Sequence, residues 1–258
     1  MSYILIDAGN SCLKIAIVKD LYEPKIAYHT LSYANLYDEL SDCLQDCIAS
    51  EVLVSNVNNS TIFNIISDSV YDLWRFQAQL ISVEQDKYGI STRYTNPRTL
   101  GCDRWLAMIA ARKEFNQSLC IIDCGTALTI DVLSDNGMHV GGLISPGITT
   151  ARHSLGLTAN NLPIVENSSE NINNKSSFFA INTQDAILGG TLYQISAYIE
   201  RIVSEFKLEF GNNTDCIITG GDAELILSLT RHDMYHRDTL VLDGLRIIAQ
   251  EMFDRETS

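Results

Sequence analysis

The chain reads as an α/β protein built from two related lobes, residues 1–116 and 117–258, each a mixed sheet with flanking helices. Three observations predict this. Apolar runs of strand length alternate with segments of helical periodicity, the pattern of the α/β class. A turn that pairs an acid with a glycine, Asp7-Ala8-Gly9-Asn10-Ser11, sits between two apolar runs and returns in the second half as Asp123-Cys124-Gly125-Thr126. The strands that follow the two turns, from Leu13 to Val18 and from Leu128 to Leu133, can be laid side by side, with the preceding turns differing by one residue.

The elements follow in chain order. Tyr3 to Asp7, Leu13 to Val18 and Lys25 to Leu31 read as an antiparallel meander. Leu36, Leu40, Leu44 and Ile48 mark one face of a helix, and Glu51 to Val57 is a buried strand. A second helix runs from Ser60 to Leu73, capped by Asn59 or Ser60, with Ile62, Ile65, Ile66 and Val70 inward, and Leu80 to Val83 is a short strand. Three antiparallel strands followed by helix and strand in alternation resemble a ribonuclease H-like lobe.

The polar stretch Tyr88 to Thr99 reads as a loop leading into a helix that ends near Phe115, with Asp103 as its cap and Leu106, Ile109, Ala110 and Lys113 at helical spacing. The second lobe opens with strands from Ser118 to Asp123, Leu128 to Leu133 and Met138 to Ile144. Gly141-Gly142-Leu143-Ile144-Ser145-Pro146-Gly147 is a glycine-dense strand-to-helix junction where backbone can approach closely. Asn160 to Ser177, rich in Asn and Ser, reads as a surface loop. Thr183 to Phe206 is a long helix with Gly189-Gly190-Thr191 as a close-packing point. A last strand, Cys216 to Thr219, ends on Gly220-Gly221, where a flat adenine could rest on backbone, and Val241 to Phe253 closes the chain as a helix.

Composition narrows the function. A net charge of −14 over 258 residues opposes a broad basic face for nucleic acid or anionic membranes. No apolar run reaches the length of a membrane span and the start lacks a basic region, so a cytoplasmic protein is expected. The 7 cysteines lie in apolar segments without metal-ligand spacing and read as reduced core thiols. The five histidines form no nucleophile or metal pattern.

The two turns have the chemistry of phosphate handling. An aspartate at a strand end can face a hydrated metal ion, the glycine admits close backbone approach, and the hydroxyl residues Ser11 and Thr126 add donors for an anion. Neither a P-loop nor a Gly-x-Gly-x-x-Gly fingerprint is present, so phosphates must be held by these turns. The ordered set Asp7-x-Gly9-Asn10-Ser11-x-x-Lys14, Gly101-x-Asp103-Arg104, Asp123-x-Gly125-Thr126-Ala127-x-Thr129-x-Asp131, Gly141-Gly142-x-x-x-Pro146-Gly147 and Gly220-Gly221 resembles the type III pantothenate kinases over nearly the whole chain. The clear departure is Ser11, usually threonine, which keeps the hydroxyl.

That resemblance places the chain in the superfamily of acetate and sugar kinases, heat-shock ATPases and actins, whose two ribonuclease H-like lobes bind ATP in the cleft between them. It implies phosphorylation of pantothenate by ATP to 4'-phosphopantothenate, the first step toward coenzyme A. Asp7, Gly9, Asn10, Ser11, Lys14, Gly125, Thr126, Gly220 and Gly221 would serve ATP and its phosphates. Asp7 and Asp123 would hold magnesium through water, and Asp123 would also serve a monovalent cation, potassium or ammonium. Asp103 would be the proton acceptor, and Tyr94, Gly101, Cys102, Asp103 and Arg104 would meet pantothenate. Thr183 would complete the site from the partner subunit of a homodimer. Two other readings use the same turns: a kinase of another small hydroxylated acid or sugar, from which only the set Gly101 to Arg104 separates it, and a nucleotide-binding regulator, which would not need Asp103 as a base.

Overall fold

In the computed structural model the described residues are 2–23, 25–159, 161–165, 179–211 and 213–257. By their contacts they fall into two units: residues 1–116 with 133–141 and 239–258, and residues 117–132 with 142–238.

The first unit is organised on a five-stranded sheet of order β3-β2-β1-β4-β5, formed by β1 (Ser2–Ala8), β2 (Leu13–Val18), β3 (Tyr28–Leu31), β4 (Ala49–Asn56) and β5 (Gln79–Leu80). The first three strands are antiparallel neighbours, and β4 joins β1 in parallel, which requires a crossover. Helix α1 (Leu36–Leu44) supplies it, and α2 (Ser60–Trp74) carries the chain on to β5. Alternation along β1 divides the core. Ile4, Ile6 and Ala8 pack with Leu36, Leu40, Leu44, Ile62, Ile66 and Val70 of the two helices. The fully buried Leu5 points to the opposite face, where α3 (Cys102–Glu114) and α7 (Leu240–Thr257) cover the sheet. Those two helices cross at Gly244, where a methyl group would collide with the Leu106 backbone.

Several boundaries differ from the expected ones. The first helix stops at Leu44 and leaves Ile48 73% exposed, because the chain there already turns into β4 and the Ile48 carbonyl accepts from Ser2 N. Asn59 alone caps α2, its side chain accepting from Ile62 N at 3.2 Å. The Tyr88 to Thr99 stretch is not all loop: it holds β6 (Ser91–Thr92), parallel to the start of β9 (Met138–Pro146), and a 3-10 turn, Pro97–Thr99. A two-residue strand has no periodicity to read, so it is invisible in the sequence.

The second sheet has order β11-β10-β7-β8-β9-β6, with β7 (Ser118–Cys124), β8 (Ala127–Leu133), β10 (Thr214–Thr219) and β11 (Tyr235–His236). In the second unit, the apolar faces of β7, β8 and β10 pack with α4 (Ile148–Thr158), α5 (Thr183–Phe210) and α6 (Ala223–Leu227) through Ile122, Leu128, Ile148, Leu192, Ile199, Ile218 and Ile226. Cys120, Cys124 and Cys216 lie in that core, all seven cysteines are free thiols, and no cluster of metal-ligating side chains occurs among the described residues. The pair Gly189-Gly190 is not a close-packing point: a methyl on either would meet nothing within 4 Å among the described residues. Of the expected surface loop Asn160 to Ser177, residues 160 and 166–177 lie outside the described residues, while Val165 is buried against Ile187 and Leu188. No helix among the described residues is long and apolar enough to cross a membrane.

Candidate functional site

In the first unit, the Asp7 turn joins β1 to β2. Asp7 lies directly opposite Lys14, so both side chains rise from one face of the sheet. Lys14 Nζ stands 5.3 Å over the Tyr28 ring, and Asn10 and Ser11 are exposed at the tip. The turn is held from a distance. The Tyr33 hydroxyl donates between the carbonyls of Gly9 (2.5 Å) and Cys12 (3.0 Å), while Asn58 Nδ2 donates to Gly9 O at 3.0 Å. Burial is the main cause that pushes the Tyr33 hydroxyl up to about 12, with the nearby Asp7 charge adding to it and Asn58 opposing it. Neither Tyr33 nor Asn58 belongs to the turn in sequence, and no spacing rule points to them.

The second feature of this unit is the start of α3. Gly101, not Asp103, is the N-cap: its carbonyl accepts from Trp105 N at 3.1 Å while its own ψ of 134° keeps it extended. Asp103 therefore occupies the second helical position, with Oδ1 accepting from Arg104 N at 2.7 Å, at a helix end that favours an anion. Glycine at 101 leaves this carboxylate its place, since a methyl there would lie 2.5 Å from Asp103 Oδ1. Arg104 is buried at 7% exposure and donates to the Tyr94 hydroxyl at 3.3 Å. Cys102 turns inward: its Sγ donates to Ile81 O at 3.3 Å, and burial pushes the thiol up to about 12. Asp103, Arg104, Gly101 and Tyr94 are thus brought together.

In the second unit the Asp123 turn joins β7 to β8, and three backbone bonds help to hold it. Gly125 N donates to Ala127 O, Gly147 N to Thr126 O at 3.0 Å, and Asp222 N to Cys124 O at 3.1 Å; the Thr150 hydroxyl adds a bond to Thr126 O at 2.6 Å. Gly220, with φ of +97°, lies so close that a methyl would meet Asp123 Oδ1 at 2.5 Å and the Cys124 carbonyl at 2.6 Å. Gly147 rests on the turn from the other side, where a methyl would collide with the Gly125 carbonyl. At Gly125 and Gly221, by contrast, a methyl would meet ordinary contacts or open space, so packing within the chain does not require those two glycines. Gly125, Gly147, Ile195 and Asp222 line a small recess beside the turn.

Beneath this, buried Arg152 donates from Nε to Thr191 Oγ1 at 2.9 Å and tethers α4 to α5. Burial raises the Asp222 carboxyl, and the Arg152 charge works against that shift. Arg152, Thr150 and Asp222 went unread in the sequence, although Asp222 directly follows Gly220-Gly221. Thr183 opens α5, is exposed, and follows Asn182, whose side chain caps the helix through Asp185 N at 2.8 Å.

The fold is shared with solved structures of other proteins. Among solved structures, an activator of 2-hydroxyisocaproyl-CoA dehydratase from Clostridium difficile with bound ADPNP matches at TM-score 0.56 and 13% identity, covering 100% of this chain and 97% of its own. A Baf family transcriptional activator from Campylobacter jejuni matches at TM-score 0.58 and 23% identity, covering 97% and 99%. Both likenesses concern the fold alone. The chain belongs to the type III pantothenate kinase family, whose model matches residues 3–205. A type III pantothenate kinase from Nitrosococcus oceani is 32% identical over 254 residues, 96% of this chain and 94% of that protein.

Proposed function

We infer that this protein transfers the γ-phosphoryl group of ATP to the primary hydroxyl of pantothenate, and that Asp103 is the base that receives the hydroxyl proton. The observation that carries the reading is the Asp103 carboxylate at the head of α3 beside the buried Arg104. Phosphoryl transfer needs charge neutralisation, positioning and a proton acceptor near the nucleophile. Arg104 receives the carboxylate of pantothenate, for which a guanidinium provides paired donors. Tyr94, Gly101 and the Cys102 backbone complete that contact.

Asn10, Ser11, Lys14 and Thr126 supply phosphate donors, and Gly9, Gly125, Gly220 and Gly221 let backbone meet the nucleotide. Asp7 and Asp123 fit magnesium, which takes hard oxygen donors and is commonly held by one or two carboxylates plus waters and phosphates. When bound, the ion neutralises charge on the transferred phosphoryl group. Asp123 is also the proposed contact for a monovalent cation, potassium or ammonium, on the resemblance at that residue. The proposal extends to residues 1–116 and 117–258 as the two ribonuclease H-like lobes, to a cytoplasmic homodimer, and to Thr183 as the partner's contribution; exposure of Thr183 at the head of α5 suits that role.

The test is ADP formation by the purified protein with magnesium and a panel of small alcohols. Turnover should require pantothenate and rise with potassium over sodium, and Asp103→Asn should lower kcat by about 10²- to 10⁴-fold with the fold retained. Equal turnover with glucose or glycerol would overturn the substrate, and an undiminished Asp103→Asn enzyme would overturn the base. For the shared site, Asp103→Asn and Thr183→Arg, each inactive alone, are refolded together. Hybrid dimers then hold one intact site, and recovery to about a quarter of wild type is expected; confirmed hybrids without activity would refute the exchange.

A further inference from the structure

None of the five histidines has a role in the reading above, yet one of them, His139, stands directly behind the residues assigned to the pantothenate carboxylate. It lies on β9, opposite Thr92 of β6 in the parallel register, and Arg93 N donates to its carbonyl at 3.2 Å. The side chain is completely buried. Its ring stacks on Tyr94 with centroids 5.4 Å apart and planes inclined by 30°, and Nδ1 is 3.1 Å from the Thr92 hydroxyl oxygen. The same oxygen accepts from Tyr94 N at 3.2 Å. From Tyr94 the sequence of contacts continues to Arg104, which donates to the phenol oxygen at 3.3 Å.

A hydrophobic side chain could fill this space without fixing a ring direction. A buried imidazole that also bonds to Thr92 has its plane set by that bond, and a ring stacked on it inherits the orientation. The strand beneath is itself held tightly: Ser91 N donates to Gly137 O at 3.0 Å, and Gly137, at φ of +80°, lies where a methyl would collide with the Gly89 carbonyl. We propose that His139 is a positioning residue for substrate recognition: together with Thr92 it fixes the Tyr94 ring, and through the phenol oxygen it aims the Arg104 guanidinium at the carboxylate of the phosphoryl acceptor. This rests on the reading of Tyr94 and Arg104 as substrate contacts. His139 touches no reacting atom, so its loss falls on recognition of the acid group and not on phosphoryl transfer.

The experiment compares pantothenate with its neutral analogue, in which the carboxylate is replaced by a primary alcohol, using the full-length enzyme and steady-state kinetics with thermal melts. His139→Ala is expected to raise KM for pantothenate roughly tenfold, as misaligning a positioning group does. KM for the analogue, KM for ATP and kcat should stay within about twofold. His139→Phe, which keeps a stacked ring but loses the Thr92 bond, should recover only part of the loss, and Thr92→Val, which removes the same bond from the other side, should show a similar residual rise in the same constant. If His139→Ala fails to fold, the Phe and Val variants carry the test. Equal losses for acid and analogue, a fall confined to kcat, or a folded His139→Ala protein with unchanged pantothenate KM would each overturn the proposal. Arg104→Met separates the layers: when it distinguishes acid from analogue but His139→Ala does not, only the positioning role fails. When Arg104→Met makes no such distinction, the assignment of Arg104 fails and the role of His139 falls with it.

Discussion

The two acid turns share a sequence pattern but are held in shape by different means. Around Asp7, the turn carbonyls are gripped by two side chains brought from elsewhere, Tyr33 and Asn58. Around Asp123, backbone meets backbone: Gly147 and Gly220 press on the turn, and bonds from Gly147 N and Asp222 N hold its carbonyls beside the bond from the Thr150 hydroxyl. A side-chain brace can be weakened by degrees, because each hydrogen bond contributes about 0.5–1.5 kcal/mol and its loss leaves the fold intact. A contact between backbones has no such latitude. An added carbon must displace the main chain, and well-packed surroundings resist this at a cost of about 1–3 kcal/mol.

The steepest test of this contrast is Gly147→Ala or Gly220→Ala. Each places a methyl against the main chain of the Asp123 turn, and at Gly220 the φ of +97° adds strain for any L residue. A shift of about 1 Å in a positioning group can cost on the order of 10²-fold, so kcat/KM should fall by at least that much. Circular dichroism should still report a folded chain. An alanine variant within threefold of wild type would remove the backbone contacts from the account of the second turn.

Next in size is the brace of the first turn. Asn58→Ala and Tyr33→Phe should each lower stability by about 1 kcal/mol and raise KM for ATP a few-fold, with kcat nearly unchanged. The pair should be less than additive, since both groups hold the Gly9 carbonyl. A loss as steep as that of the glycine variants would erase the distinction between the turns.

The same contrast governs what was legible in the sequence. The glycines of the Asp123 turn could be read, since glycine is the visible mark of close backbone approach and Gly147 and Gly220 both stand in the glycine motifs, whereas the bonds from Thr150 and Asp222 could not. The brace of the Asp7 turn could not. Tyr33 and Asn58 lie 24 and 49 residues from Gly9, and only the folded sheet brings them there. The main strands and the faces of α1 and α2 followed their periodicities, because a buried face repeats at a fixed interval. The end of α1 was misjudged because Ile48 continues the helical spacing after the chain has turned away. Asp103 was misread as a cap because aspartate is a good capping residue, whereas Gly101 caps through its backbone alone. His139 carried no pattern at all, since its value lies in a register across two strands.

The smallest effect expected is also the most specific to the first turn, and it concerns pH. An unfolded tyrosine ionises near ~10, whereas Tyr33 in the folded chain is held up to about 12, chiefly by burial, with the Asp7 charge in support and Asn58 opposed. Between those values the unfolded chain gives up a proton that the folded chain keeps, so stability falls as pH rises. The contribution of Tyr33 is therefore complete below pH ~10 and is lost as pH climbs through about 12. Because the ring is partly exposed, solvent screening should keep the effect below ~1 kcal/mol. Urea midpoints of wild type and Tyr33→Phe, measured from pH 8 to 11, should start about 1 kcal/mol apart and converge as the pH rises. Other tyrosines and the raised Cys102 thiol titrate alike in both proteins, so the convergence isolates one hydroxyl. A constant offset across the range would mean that Tyr33 stabilises the turn by its ring alone, and that the Gly9 and Cys12 carbonyls do not depend on its proton.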